Sequence, residues 1–237
     1  MPSKTARRMG SDSHGRTAPT RKSLPRPKKR PTQERAKFTI QAVYDAFVRI
    51  CRRDGLSAVT MKDVAAEAGY AVGTLYDYFP DKRALFSGYV RYTLDDMLSR
   101  IDREVIADGG ADWRTRLHRL VAITCGADDA APYFDRDMLK HVSAIAEDKH
   151  HKRVFEELTA KWREAVGAWQ DMPGRASPET IGALALALWA SRRYVLLVGP
   201  AAEKTDWVAQ LELICRRALV PGWHDGRRPG NSPATNI

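Results

Sequence analysis

Residues 59–82 read VTMKDVAAEAGYAVGTLYDYFPDK, and this stretch decides the fold. Thr60 followed three residues later by Asp63 has the spacing of a capping box, which opens a helix. Val64, Ala65 and Ala68 then share one face. Gly69 ends that helix, because the residue leaving a helix often adopts a left-handed conformation that glycine takes without strain. Tyr70 and Ala71 make the turn, and 72–79 form a second helix of about two turns. Pro80 stops it by biasing the preceding residue away from helix. Asp81 caps a third helix that starts at Lys82.

Two short helices joined by a glycine-containing turn make a helix-turn-helix, whose second helix enters the major groove with its first turn on the base edges. That first turn is Val72, Gly73 and Thr74, all small enough to let backbone and nucleic acid approach. Tyr76 and Tyr78 offer hydroxyls to phosphates, and Lys82 offers a charge beside a helix start. Leu75 and Phe79 are assigned to the core.

The run AGYAVGTLYDYFPDK resembles the DNA-binding motif of the TetR family of bacterial transcriptional regulators, over residues 33–89, about a quarter of the chain. By that resemblance Thr60, Lys62, Gly73, Thr74, Tyr76, Tyr78 and Lys82 match positions that commonly touch DNA. Ala71 departs from the family, which usually carries serine or a similar polar group there to cap the reading helix and meet a phosphate.

The formal net charge of +10 is unevenly placed. Residues 1–31 hold ten Lys and Arg against the single acid Asp12, whereas 33–82 hold seven of each sign. Few large apolar groups interrupt the first segment, so 1–32 reads as a disordered basic arm. Arg26, Lys28, Lys29 and Arg30 stand just before the helix-turn-helix, where an arm can neutralise phosphates or enter the minor groove. For residues 1–20 a solubilising leader is an equal alternative. Cys51, Cys125 and Cys215 are widely spaced and odd in number, which fits neither a disulfide framework nor a metal site. No signal-peptide pattern is visible, and the longest apolar run, 181–190, is half a membrane span. The expectation is a cytoplasmic protein with no membrane contact.

Residues 33–53 form a first helix with an apolar stripe of Phe38, Ala42, Val43, Ala46, Phe47, Ile50 and Cys51. Arg49, Arg52 and Arg53 near its end read as charges suited to the helix dipole. The helix from Lys82 keeps its period to about residue 107, nearly 40 Å at ~1.5 Å per residue, long enough to join two domains. Further helices are predicted over 113–125, 132–147, 151–170, 178–198 and 205–219. The fold class is therefore all-α, of about nine helices. A three-helix helix-turn-helix DNA-binding domain occupies 33–88, a helical ligand-binding and dimerisation domain 89–220, and a flexible tail 221–237.

The helix over 178–198 is apolar on nearly all sides and so is predicted to be buried on nearly all sides, in part by a second copy of the chain. In TetR-like proteins the last two main helices pair into a dimer interface. Leu184, Leu188 and Val195 on this helix, with Trp207, Leu211 and Ile214 on the last, are the candidates. The resemblance also implies a cavity for a small inducer, with Trp113, Tyr133, Met138, His141, Trp162, Trp189 and Arg193 as candidate lining residues. No nucleophile–base pairing, phosphate loop or metal-ligand spacing supports an enzyme, a cofactor or a metal site. The function expected is that of a homodimeric regulator, a repressor that binds a palindromic double-stranded DNA operator and is released by an inducer. The alternative is an architectural DNA-binding protein that relies on its basic tail.

Overall fold

Helix α1 (Glu34–Asp54) buries Val43, Ala46, Phe47 and Ile50 along one stripe. Phe38 was expected in that stripe but is 71% exposed, so the buried face begins at Ile40. The computed structural model describes residues 34–199 and 206–222. The arm residues Arg26, Lys28, Lys29 and Arg30 and the segment from 223 onward lie outside them.

A short 3-10 turn (Leu56–Ala58) leads to α2 (Met61–Ala68). Thr60 caps α2 as its sequence spacing predicts: its Oγ1 accepts from the Asp63 backbone N–H at 3.1 Å and donates to Asp63 Oδ2 at 2.6 Å. Gly69 closes α2 at φ 76°, the left-handed region that penalises a side chain. Helix α3 (Val72–Tyr78) follows and ends one residue earlier than its sequence suggests, at the extended Phe79. Asp81 caps α4 (Lys82–Ile101), accepting from the Ala84 N–H at 2.7 Å. A π-helical turn (Asp102–Ile106) extends α4 before the chain breaks at 108–110.

The remaining helices are α5 (Trp113–Cys125), α6 (Arg136–Ile145), α7 (Asp148–Gly167), α8 (Pro178–Val198) and α9 (Trp207–Leu219). The described residues thus form nine α-helices and no strand. Several boundaries differ from the sequence reading, among them the ends of α6 and α7, at Ile145 and Gly167 rather than 147 and 170, and the starts of both. Helix α6 starts at Arg136 rather than at 132, because the Asp135 carboxylate caps it from the Met138 N–H at 2.8 Å. Helix α7 starts at Asp148, three residues before the expected 151, so its basic run lies within the first turns.

The buried side chains fall into two clusters. The first joins α1 to α3 with the start of α4 and contains Phe47, Leu75, Phe79, Leu85, Phe86 and Tyr89. Tyr89 packs its ring against Phe47 and Tyr44, with centroids 5.2 and 5.5 Å apart. Met138 of α6 enters this cluster with no exposed surface. The second cluster begins at Leu94, one turn further along α4, and gathers α5, α7, α8 and α9 around Trp113, Trp162 and Leu188. Helix α4 is therefore the beam common to both. The buried Trp162 indole donates to Thr124 Oγ1 at 3.1 Å, so no polar group is stranded there.

The Asp81 cap fixes where the beam begins. Asp81→Ala is expected to lower unfolding stability by about 1 kcal/mol in urea titration, with native helicity kept.

Candidate nucleic-acid interface

Helices α2 and α3 are set by the first cluster, which holds Leu75 and Phe79 with no exposed surface. With that face fixed inward, the helical period turns Val72, Gly73 and Tyr76 outward. Val72 is 41% and Tyr76 45% exposed. A Cβ added at Gly73 would meet no atom within 4 Å, so nothing inside the protein requires glycine there. Thr74 and Tyr78 are half-buried at the edge of the same face. Ala71 stands at the cap position and provides no side-chain hydrogen bond; the Thr74 N–H reaches the Ala71 carbonyl at 2.9 Å instead.

Lys62 and Thr60 are exposed at the start of α2. Thr60 has already spent its hydroxyl proton on Asp63, so it meets a partner only as an acceptor. Lys82 Nζ donates to the Ser57 carbonyl at 3.1 Å. That contact ties the start of α4 to the turn before α2 and leaves donors on the ammonium, while partial burial pulls the group below the ordinary lysine range. Thr60, Lys62, Val72, Gly73, Thr74, Tyr76, Tyr78 and Lys82 thus lie on the helix-turn-helix or at its edges.

Sequence reasoning missed what braces this unit. Arg49, read as a dipole charge, donates from Nε to Glu67 Oε1 at 2.7 Å and from Nη2 to the Glu67 carbonyl at 3.1 Å, clamping α1 to the end of α2. Arg52 lies over the Tyr133 ring, 4.6 Å from its centroid. The Tyr89 hydroxyl donates to the Tyr133 carbonyl at 2.5 Å, and burial raises its pKa above the ordinary tyrosine value, so it keeps that proton. His141 stands edge-on to Phe86 at 5.0 Å. Three residues expected to line a ligand cavity, Tyr133, Met138 and His141, therefore sit at the joint between α6 and the helix-turn-helix core. No local pattern signals this, since contacts 44 residues apart in sequence create it.

A cleft of about 1360 Å³ opens between α4, α6, α7 and α8. Its wall includes Leu139, Val142, Ile145, Leu158 and Trp189. Of the seven candidate lining residues, Trp189 and Arg193 reach it. Tyr133 instead borders a smaller cavity of about 460 Å³ beside Arg52 and Trp207. Trp113 and Trp162 are core residues, 2% and 0% exposed, because both pack into the second cluster rather than line the cleft.

The outer face of α8 also differs from expectation. Leu184 and Leu188 are buried within the subunit, where they are unavailable to a partner. Val195 is half-buried, and Trp207 and Leu211 pack against the second cluster. Exposed instead are Leu186, Tyr194, Leu197 and Val198 on α8 and Ile214 on α9, with Tyr194 at 68% and Ile214 at 54%. By length and mean hydropathy α8 could cross a membrane, but its inner face packs on α5 and α7.

Residues 43–88 match the family profile described as bacterial regulatory proteins, tetR family. The nucleoid occlusion factor SlmA of Enterobacter sp. (strain 638) is 28% identical over 116 residues, 48% of this chain and 58% of that protein. The SlmA of Escherichia coli O1:K1 is 26% identical over 133 residues, 54% of this chain and 66% of that protein. The chain thus spans about 58% of the length of the first of these relatives. Among solved structures, a TetR-family transcriptional regulator from Streptomyces coelicolor aligns over 76% of this chain and 96% of its own, with TM-score 0.52 and 20% identity. The reduced form of E. coli NemR aligns over 77% and 97%, with TM-score 0.57 and 11% identity, a likeness of fold. Residues 43–88 thus carry a helix-turn-helix of the TetR type, and the helix order of the described residues is that of solved TetR-family structures.

Proposed function

We propose that the protein is a cytoplasmic, ligand-responsive repressor that binds a palindromic operator as a homodimer. The observation that carries this reading is that the cleft and the helix-turn-helix share two elements. Helix α6 lines the cleft with Leu139, Val142 and Ile145 and inserts the neighbouring Met138 into the core of the helix-turn-helix cluster. Helix α4 lines it with Val90, Leu94 and Met97 and holds Lys82 at its other end. A ligand that wedges α4 from α6 strains the Tyr89–Tyr133 joint and so tilts the reading helix. Two reading helices must stay ~34–36 Å apart to meet successive major grooves, so a small tilt at each is enough to lose the operator. Such a ligand acts only through a difference in affinity between the two spacings.

Dimerisation fits the exposed apolar side chains of Leu186, Tyr194, Leu197 and Val198 on α8 with Ile214 on α9. A two-fold axis through α8 and α9 makes the patch self-complementary and presents two α3 helices to one face of DNA. Gly73, Thr74 and Val72 then read base edges, while Tyr76, Tyr78, Lys62 and Lys82 contact phosphates. The described helix-turn-helix has no charge excess, so the basic arm supplies much of the phosphate neutralisation.

The similarity to nucleoid occlusion factors favours one alternative, an architectural DNA-binding protein whose arm provides most of the affinity. Deleting residues 1–31 separates the two. Under the repressor reading, sequence preference survives with weaker binding and a shallower salt slope; under the alternative, binding is lost altogether.

Three outcomes follow from the repressor reading. Thr74→Ala and Tyr76→Phe each weaken operator binding about tenfold in a fluorescence-anisotropy titration, with unchanged thermal unfolding. Leu197→Glu combined with Ile214→Glu yields a monomer by light scattering that keeps its helical signal, since both side chains are exposed in the subunit. A screen of small molecules against the operator complex finds one that releases the DNA; a screen in which none does removes induction and leaves DNA binding intact.

A further inference from the structure

The charges around the cleft divide into two sets. Those on the α7 side already have acidic partners. Arg91 pairs with Asp95 and with Glu157, the latter at 3.0 Å, and Arg153 reaches Glu157 at 2.7 Å. Lys149 pairs with Glu147 at 2.5 Å, and Lys152 lies 3.8 Å from Glu156. Arg192 and Arg193 on α8 differ. Among the described residues neither has a carboxylate within ion-pair distance.

Arg192 Nη1 reaches only the Thr124 carbonyl at 3.5 Å and Met97 Sδ at 3.9 Å, and its guanidinium lies over the Trp189 ring at 5.5 Å. Asp128, the acid that faces it, is held by Arg100 at 2.8 Å. Arg193 Nη2 donates to Ser143 Oγ at 3.1 Å. Burial lowers the pKa of both, yet a guanidinium stays charged, so two cations stand in the cleft wall with neutral partners. The position of Arg192 is built in: a Cβ at Gly126 would stand 2.8 Å from its Cζ, and Gly126 closes α5 at φ 63°. Uncompensated charge at a partly dry wall is unfavourable unless an anion answers it.

Between these charges the wall is lined by the apolar side chains of Leu139, Val142, Ile145, Phe155, Leu158 and Trp189. We infer that the cleft takes an amphipathic anion, a hydrocarbon chain laid between α6 and α7 with its acidic head at the α8 wall, drawn there by the charges of Arg192 and Arg193. The head is a carboxylate or a phosphate, both of which accept from a guanidinium fork. This assignment rests on the reading of the cleft as the effector site, and it names the class of effector.

The test uses the full chain without DNA. Dodecanoate, dodecyl phosphate and dodecan-1-ol, all below their aggregation concentrations, are titrated by calorimetry and by thermal shift. Both anions are expected to bind at least about tenfold tighter than the alcohol and to raise Tm; the tighter of the two identifies the head. Decanoate, two methylenes shorter, is expected to bind about fifteenfold weaker than dodecanoate, at roughly fourfold per methylene. Arg193→Gln, a half-buried site that keeps the fold, lowers anion affinity about tenfold and leaves alcohol affinity alone; Arg192→Met does the same.

Equal binding of acid and alcohol overturns the inference, as does equal anion affinity in wild type and both variants. Absence of binding by any of the three overturns it too, including when a second copy of the chain fills the cleft. A DNA-release assay separates this from the regulatory reading. Dodecanoate that binds without releasing the operator leaves the inference standing and removes the repressor mechanism. A neutral inducer that releases the operator while dodecanoate fails to bind does the reverse.

Discussion

The structure depends on one joint, where the Tyr89 hydroxyl meets the Tyr133 carbonyl at 2.5 Å and Arg52 lies over the Tyr133 ring. Tyr89 is packed among Phe47, Tyr44 and Tyr92 on the helix-turn-helix side, so its ring has no freedom to follow α6 independently. The segment before α6 is thus fastened to the reading head by a buried hydrogen bond and a cation–ring contact. Both are short-range interactions that weaken steeply when partners separate. A few tenths of an ångström at this joint matter more than a larger displacement at the periphery, because close-packed interiors switch between arrangements rather than stretch.

Around that joint the two cores have different work. The first holds the orientation of α3, and with it the outward face of Val72, Gly73 and Tyr76. The second carries the apolar stripe of α8, and the cleft lies between the two, lined by Tyr44, Phe86 and Val142 on one side and by Leu94, Met97 and Leu158 on the other. Helix α8 links the cleft to that stripe, since Leu186, Tyr194 and Leu197 belong to both. In the proposed dimer a ligand would therefore be sensed by the interface as well as by α4 and α6. The absence of a side-chain cap at Ala71 leaves α3 less tightly started than α2 or α4, each of which has an oxygen-bearing cap.

Much of the helix-turn-helix was legible because its signals are local. Thr60 with Asp63, Gly69, Pro80 and Asp81 each act within four residues, and each does in the fold what its spacing implies. The cleft was far less legible. Trp189 and Arg193 reach it, whereas Trp113 and Trp162 serve the core and Met138 crosses to the other cluster. An aromatic or sulfur-bearing side chain at helical spacing satisfies a core and a cavity wall equally well, so the pattern could not separate them.

The amino-acid sequence by itself determined the helix-turn-helix, the all-helical class and the spans of α5 and α8, whose ends follow from nearby glycine, proline and capping side chains. Tertiary structure alone decided which way α8 faces. A helix apolar on every side has no inner face until neighbours supply one, and α5 and α7 took Leu184 and Leu188, leaving Leu186, Tyr194 and Leu197 outside. The same holds for Arg192 and Arg193: their lack of a carboxylate is a property of what packs around α8, which no spacing along the chain encodes.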